Sequence, residues 1–141
     1  MKLKITRTEA WAASLEDRPG GLADKLTALA QAGANLEFIL ARRTPERAGH
    51  GVVFVTPLKG AKQLKAAKAA GFAKTASLHL LRVEGTDKKG EGAKVAQALA
   101  EAGINLRGIS AAALGKRFIS HLALDSPAAV TKATSLLKKL K

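Results

Sequence analysis

Asp17-Arg18-Pro19-Gly20-Gly21-Leu22 and, ten residues further on, Ala32-Gly33-Ala34-Asn35-Leu36 decide the fold, because both stretches return seventy positions later. A shift of 70 lays Asp17, Gly20, Ala23, Ala28, Leu29, Ala30, Ala32, Gly33, Asn35 and Leu36 over identical residues from Asp87 to Leu106 without a gap. Alanine-rich helices match one another readily, but the Asp, Gly and Asn identities lie outside that bias. The chain therefore reads as a duplication, and the repeat is the structural unit to interpret.

Each repeat carries the same succession of patterns. Alternating Trp11, Ala13 and Leu15, like Leu81 and Val83, predict a strand that runs into the glycine turn. Leu22, Leu26 and Leu29, or Val95, Leu99 and Ala102, follow at helical spacing, and Gly33 or Gly103 sits where a left-handed residue ends a helix. Strands are expected at 35–42 and 51–56, and in the second copy at 105–113 and 118–124. A second helix is expected from Pro57, or from Ser126-Pro127, where serine caps and proline suits the first turn. Residues 72–76 supply a closing strand, giving β-α-β-β-α-β, a ferredoxin-like α+β unit.

After Lys138 the second copy has too few residues for that closing strand. The shift of 70 lays 2–15 over 72–85, which suggests that residues 3–6 complete the second unit as its fourth strand. The expected organisation is two units, 1–76 and 77–141, fused as a pseudo-dimer. The boundary near Ser77 has no Pro/Gly/Ser-rich linker.

The glycine turn has chemistry of its own. Pro19 presets φ for a first helical turn, while Gly20 and Gly21 allow close backbone approach and aim free amides outward. Such a helix start attracts a carboxylate, and Asp17 could meet an ammonium, so the turn could complement a zwitterion. Asn35, expected on a strand beside the one ending at Asp17, offers a donor and an acceptor. Residue chemistry leaves a second reading open, in which Asp17 caps the helix and Asn35 caps the turn after Gly33.

Leu15 to Leu22, a helix, and then Ala32 to Leu36 resemble the ACT domain, a small β-α-β-β-α-β module known for sensing amino acids. The resemblance extends, less closely, to Asp87–Gly92 and Ala102–Leu106. It implies a stand-alone regulatory protein without catalysis, holding an amino acid at the seam between two modules. Carried over by position, it implicates Asp17, Arg18, Pro19, Gly20, Gly21, Leu22 and Asn35, with a weaker second site at Asp87, Lys88, Gly90 and Asn105. The second copy departs at Lys89, which replaces Pro19, and at Glu91, which replaces Gly21 and would repel a ligand carboxylate.

Composition narrows the alternatives. The 141 residues are 47% hydrophobic and carry a formal charge of +13, a foldable basic chain rather than a disordered tail. No cysteine is present, and His50, His79 and His121 are not clustered, so no metal or cofactor is expected. No signal-type run and no membrane-length apolar stretch occur, which suggests a cytoplasmic protein. Gly85 to Glu91 has P-loop glycine spacing, but Glu91 stands where the phosphate-binding Lys belongs, and no catalytic constellation stands out.

The competing reading is a basic module for nucleic acid or an acidic protein. Lys59, Lys62, Lys65 and Lys68 recur along one helix, and Lys132, Lys138, Lys139 and Lys141 crowd its counterpart. RNA-reading aromatics are lacking, which leaves only weak electrostatic binding to nucleic acid. Trp11 is read as a core residue rather than a stacking platform. Phe38 and Leu40 point opposite to Ile39, so one strand face needs a partner, and a homodimer or a regulated enzyme is the expected companion.

Overall fold

A computed structural model describes residues 3–76 and 78–140. The order is β1(Lys4–Thr8) β2(Trp11–Glu16) α1(Gly21–Gln31) β3(Phe38–Arg43) β4(His50–Thr56) α2(Gly60–Ala69) β5(Ala73–Lys74) β6(His79–Thr86) α3(Glu91–Glu101) β7(Gly108–Leu114) β8(Arg117–Leu124) α4(Pro127–Lys138). Two four-stranded sheets result, ordered β3-β4-β2-β5 and β1-β6-β8-β7. Each has the ferredoxin-like arrangement expected from the repeat.

The first strand of the chain belongs to the second sheet, as its missing partner required. β1 runs antiparallel to β6, with Lys4 opposite Glu84 and Thr8 opposite Leu80. The compact units are accordingly Glu9–Thr75 on one side, and Lys4–Thr8 joined to the chain from Ala76 on the other. Alternation explains the docking: Ile5 pairs with Val83 and packs, with Leu3, on the second core, while Lys4 and Thr6 point to the opposite face. Gly85 makes room for this edge, since a Cβ there would stand 2.9 Å from Leu3 Cδ2 and 2.8 Å from Phe118 Cε1. The expected boundary at Ser77, the Lys2 end of the aligned segment and Lys141 of the basic run lie outside the described residues.

Both helices of a unit cover one sheet face. In the Glu9–Thr75 unit, Ala13, Leu15, Val53 and Val55 meet Leu29 and Ala67. In the other, Leu81, Val83, Leu122 and Leu124 meet Val95, Leu99, Val130 and Leu137. Each fully buried leucine contributes roughly 2 kcal/mol of transfer free energy. Trp11 is half-buried against the first core, a packing position. Among the described residues no helix is long and apolar enough to cross a membrane.

Side chains from the second helix of each unit close the end of the first. Gln63 Nε2 donates to the Gly33 carbonyl at 3.0 Å, and Lys132 Nζ donates to the Ala102 carbonyl at 2.6 Å. Gly33 and Gly103 are left-handed, as helix-stop positions require. Ser126 accepts a hydrogen bond from the Ala129 amide at 3.1 Å, directly before Pro127. Ser126→Ala should therefore cost about 1 kcal/mol, readable as a shift in the urea midpoint.

Several boundaries differ from the sequence reading. β3 begins at Phe38, not at Asn35, and β7 at Gly108, not at Asn105, because both asparagines lie in the loop after the left-handed glycine. α2 starts at Gly60 rather than at Pro57. β5 is only two residues long and pairs with Trp11 and Ala12 alone. The sheet order also corrects the expected neighbour: β4 separates β3 from β2, so Asn35 does not adjoin the strand that leads to Asp17.

Candidate ligand-binding turn

The turn between β2 and α1 begins where pairing ends. Glu16 faces His50 in the last β2–β4 pair, and the next amide, of Asp17, donates to the Gly49 carbonyl at 3.0 Å. Gly21 N–H then donates to the Arg18 carbonyl at 3.1 Å, closing a tight bend. Gly20, with φ of 87°, is the N-cap and offers no side chain to the helix. At Gly21 a Cβ would stand 2.3 Å from the Glu16 carbonyl oxygen, so the bend demands glycine there. Among the described residues, the Leu22 and Ala23 amides have no protein acceptor.

Asp17 neither caps α1 nor lies free. Its Oδ2 accepts from Arg43 Nε at 2.8 Å, across from β3. Arg18 organises the rest of the turn: Nε donates to Glu16 Oε2 at 2.6 Å, Nη2 to Asp24 Oδ2 at 3.0 Å and Nη1 to the Pro19 carbonyl at 3.1 Å. These pairs are half exposed or more, so each adds little to stability. What they fix is geometry, a guanidinium held beside the uncapped helix start.

The hydrogen bond from Arg18, and then its charge, hold the Glu16 carboxyl below the usual carboxylate range, while Glu16 in turn holds Arg18 more firmly protonated. A lowered carboxyl pKa gives an interaction that is complete above the unfolded value of about 4.3 and lost as pH falls through the folded one. Acidification below about pH 4 should therefore release Arg18. Its Nε–H resonance should hold its position down to about pH 5 and move toward the free-arginine position only as pH falls below about 4, while the core amides stay unmoved.

A hollow of about 580 Å³ opens beside this turn, with Glu16, Arg18, Asp24, Lys25, Arg47 and His50 among its lining groups. It lies where short β5 stops at Ala12 and leaves the end of β2 paired with β4 alone. Lys25 also donates to the Ala70 carbonyl, tying α1 to the end of α2 beneath the hollow. Asn35 lines a different hollow, with Gly33, Pro57, Lys59 and Gln63. β2 runs from the end bearing Thr56 and Phe38 to the end bearing His50, so Asp17 and Asn35 lie a strand length apart, about 17 Å at 3.4 Å per residue.

Sequence reasoning missed Arg43, Arg47, Lys25 and His50. Arg43, Arg47 and His50 reach the turn through the β3–β4 register and a loop whose length, not composition, brings them back, whereas Lys25 comes from the α1 helix that the turn opens. In the second unit, Gly90 is again a left-handed N-cap without a side-chain bond, and Asp87 N–H donates to the Lys116 carbonyl at 2.8 Å. Asn105 Oδ1 accepts from the Leu106 amide at 3.0 Å, a local turn contact.

The ACT domain pattern matches residues 13–70. No curated protein matches the sequence. Among solved structures, a protein from Bacteroides thetaiotaomicron is similar at 20% identity and a TM-score of 0.77, covering 96% of this chain and 89% of that one. The ligand-free regulatory subunit of aspartate kinase from Thermus thermophilus is similar at 18% identity and a TM-score of 0.67, covering 99% and 97%. The corresponding subunit from Thermus flavus gives 18% and 0.60, covering 96% and 97%. These likenesses extend the same fold over both units, and within it residues 13–70, the body of the first unit, match the ACT domain.

Proposed function

We propose that this chain is a cytoplasmic, non-catalytic regulatory module that senses a small amino acid at the glycine turn of its first unit. The ACT domain match over residues 13–70 supports a regulatory, small-molecule-binding role; the ligand and its placement are the proposal. The observation that carries it is the hollow beside α1, where both signs of charge meet an uncapped helix start. In this reading the ligand carboxylate takes the Leu22 and Ala23 amides with Arg18, and its ammonium takes Glu16 or Asp24. Asp17, Pro19, Gly20 and Gly21 shape the turn.

Asn35 is too far from the turn of its own unit to touch the same amino acid, so a ligand using both takes them from two ACT-like units. The stoichiometry of binding reads this directly. Sequence repeats 1–76 and 77–141 would each bring such a turn, the weaker one at Asp87, Lys88 and Gly90 with Asn105. The companion is a second copy or a regulated enzyme. β7 favours the former: it is a seven-residue edge strand without a charge, exposing Ile109 and Leu114. Ile109→Lys should then convert a dimer to monomers in sedimentation.

Calorimetry against the common amino acids tests the sensor reading. One of them should give saturable heat and, at a hundredfold excess over its Kd, stabilise the fold by about 2.7 kcal/mol. Gly20→Val should abolish both. Silence across the panel overturns the reading. A second reading rests on the four exposed lysines of α2 and its N-cap, where no acidic residue interrupts them; salt-sensitive retention on nucleic acid in the absence of amino-acid binding would favour it.

A further inference from the structure

We infer that the end of the second unit at which β7 turns into β8 docks on the surface of an anionic lipid bilayer. Leu114 and Arg117 form the last pair of that hairpin, with Gly115 and Lys116 as its turn. Leu114 is 76% exposed, more than any other large apolar side chain among the described residues. Cations surround it. Lys116 and Arg117 belong to the hairpin, and the Lys116 carbonyl accepts from the Asp87 amide at 2.8 Å, which holds the turn bearing Lys89 alongside. β6, β8 and β7 are consecutive in the sheet, so this turn and the hairpin lie within about 10 Å. α4 brings Lys138 and Lys139 to the same end. Its start is tied to β1 by Arg7 Nη2, which donates to the Pro127 carbonyl at 3.5 Å, and its length of about 17 Å runs back along β1 and β6.

All of these cations are exposed, and none forms an ion pair among the described residues. The carboxylates of the region are already offset: Glu84 by Arg82 at 3.3 Å, Glu91 by Lys94 at 3.9 Å, and Asp87 by Lys88, the next residue. A helix C-terminus favours Lys138 and Lys139 through its dipole, but neither the hairpin nor the turn needs a cation to form. Spacings close to the Debye length of about 8 Å let the charges act jointly. The partner is therefore a polyanionic surface, and Leu114 selects its kind. A phosphate backbone offers an alkyl side chain nothing, and no described aromatic is exposed at this end for base stacking, since Phe118 packs on the core. An anionic bilayer meets both features. Lysine stems lie among the headgroups with their ammonium groups at the phosphates, and an apolar tip enters the acyl boundary.

The inference is independent of the amino-acid reading and rests on none of its site residues; Ile109, which tests the dimer, lies at the other end of β7. Its test is co-sedimentation of the full chain with phosphatidylcholine vesicles, with and without about one-third phosphatidylglycerol. The wild type should bind the anionic vesicles saturably, ignore the neutral ones and dissociate as salt rises. Each cation near such a surface is worth about fivefold in partition, so Lys89→Glu with Lys116→Glu should weaken binding at least about thirtyfold. Leu114→Ser should weaken it about tenfold. Lys62→Glu with Lys65→Glu, the same change of charge on α2 of the other unit, should alter it less than about threefold. Absence of binding to anionic vesicles, full retention in Leu114→Ser, an equal loss from the α2 pair, or a DNA duplex held by Lys89 and Lys116 in place of vesicles overturns the inference; an inert amino-acid panel does not touch it.

Discussion

Removal of residues 1–8 is expected to unfold the unit built on β6–β8 while the Glu9–Thr75 unit stays folded. β1 is the edge partner of β6 over five residue pairs, and Leu3 and Ile5 close one side of the second core. Without the strand, one edge of β6 loses its partner and α4, which packs on β1 as well as on β6, loses part of its bed. Native domains have only about 5–15 kcal/mol in hand. The milder Ile5→Asp should cost about 3 kcal/mol, since it places a charge against Val83 and the apolar cluster. Amide exchange reads both: protection at Leu80–Glu84 should collapse, and protection at Val53 and Val55 should persist. A truncated protein with unaltered β6 protection would mean that β1 is ornamental.

Gly21→Ala should be the most damaging single substitution in the first unit's turn. The added Cβ would meet the Glu16 carbonyl at 2.3 Å, a contact that only backbone movement relieves. A cost of about 2–3 kcal/mol is expected, with loss of amino-acid binding because the Leu22 and Ala23 amides turn away. The second unit keeps the same turn bond with a side chain at this step, from the Glu91 amide to the Lys88 carbonyl at 3.3 Å, against 3.1 Å at Gly21. Gly92→Ala should behave oppositely, gaining up to about 1 kcal/mol of helix propensity in open space. Thermal or urea melts of the two variants compare the signs directly.

The repeat made the fold legible. Matching Asp, Gly and Asn at a fixed shift located the turns, the alternating apolar residues located β2, β4, β6 and β8, and the absence of a closing strand after Lys138 pointed to β1. Edges were less legible. β3 and β7 begin three residues late because the loop after a left-handed glycine carries the same polar and apolar residues as a strand start. The site was legible only in its backbone. Gly20, Gly21 and Pro19 announce a tight helix entry, but the choice of Arg43 over an ammonium or the helix as partner for Asp17 is set by the β3–β4 register, a long-range pairing invisible in local pattern. The expected closeness of Asp17 and Asn35 failed for a topological reason, β4 lying between β2 and β3. Glu91 was legible as a repulsive replacement; its burial was not.

The most direct test of the account is an amide-resolved NMR titration of the full chain with the amino acid that gives the largest thermal shift. Saturable movement of the Gly20, Leu22 and Ala23 amides, at the same Kd as the heat of binding, is the predicted result. Binding that leaves those three amides in place, while resonances elsewhere move, would contradict it.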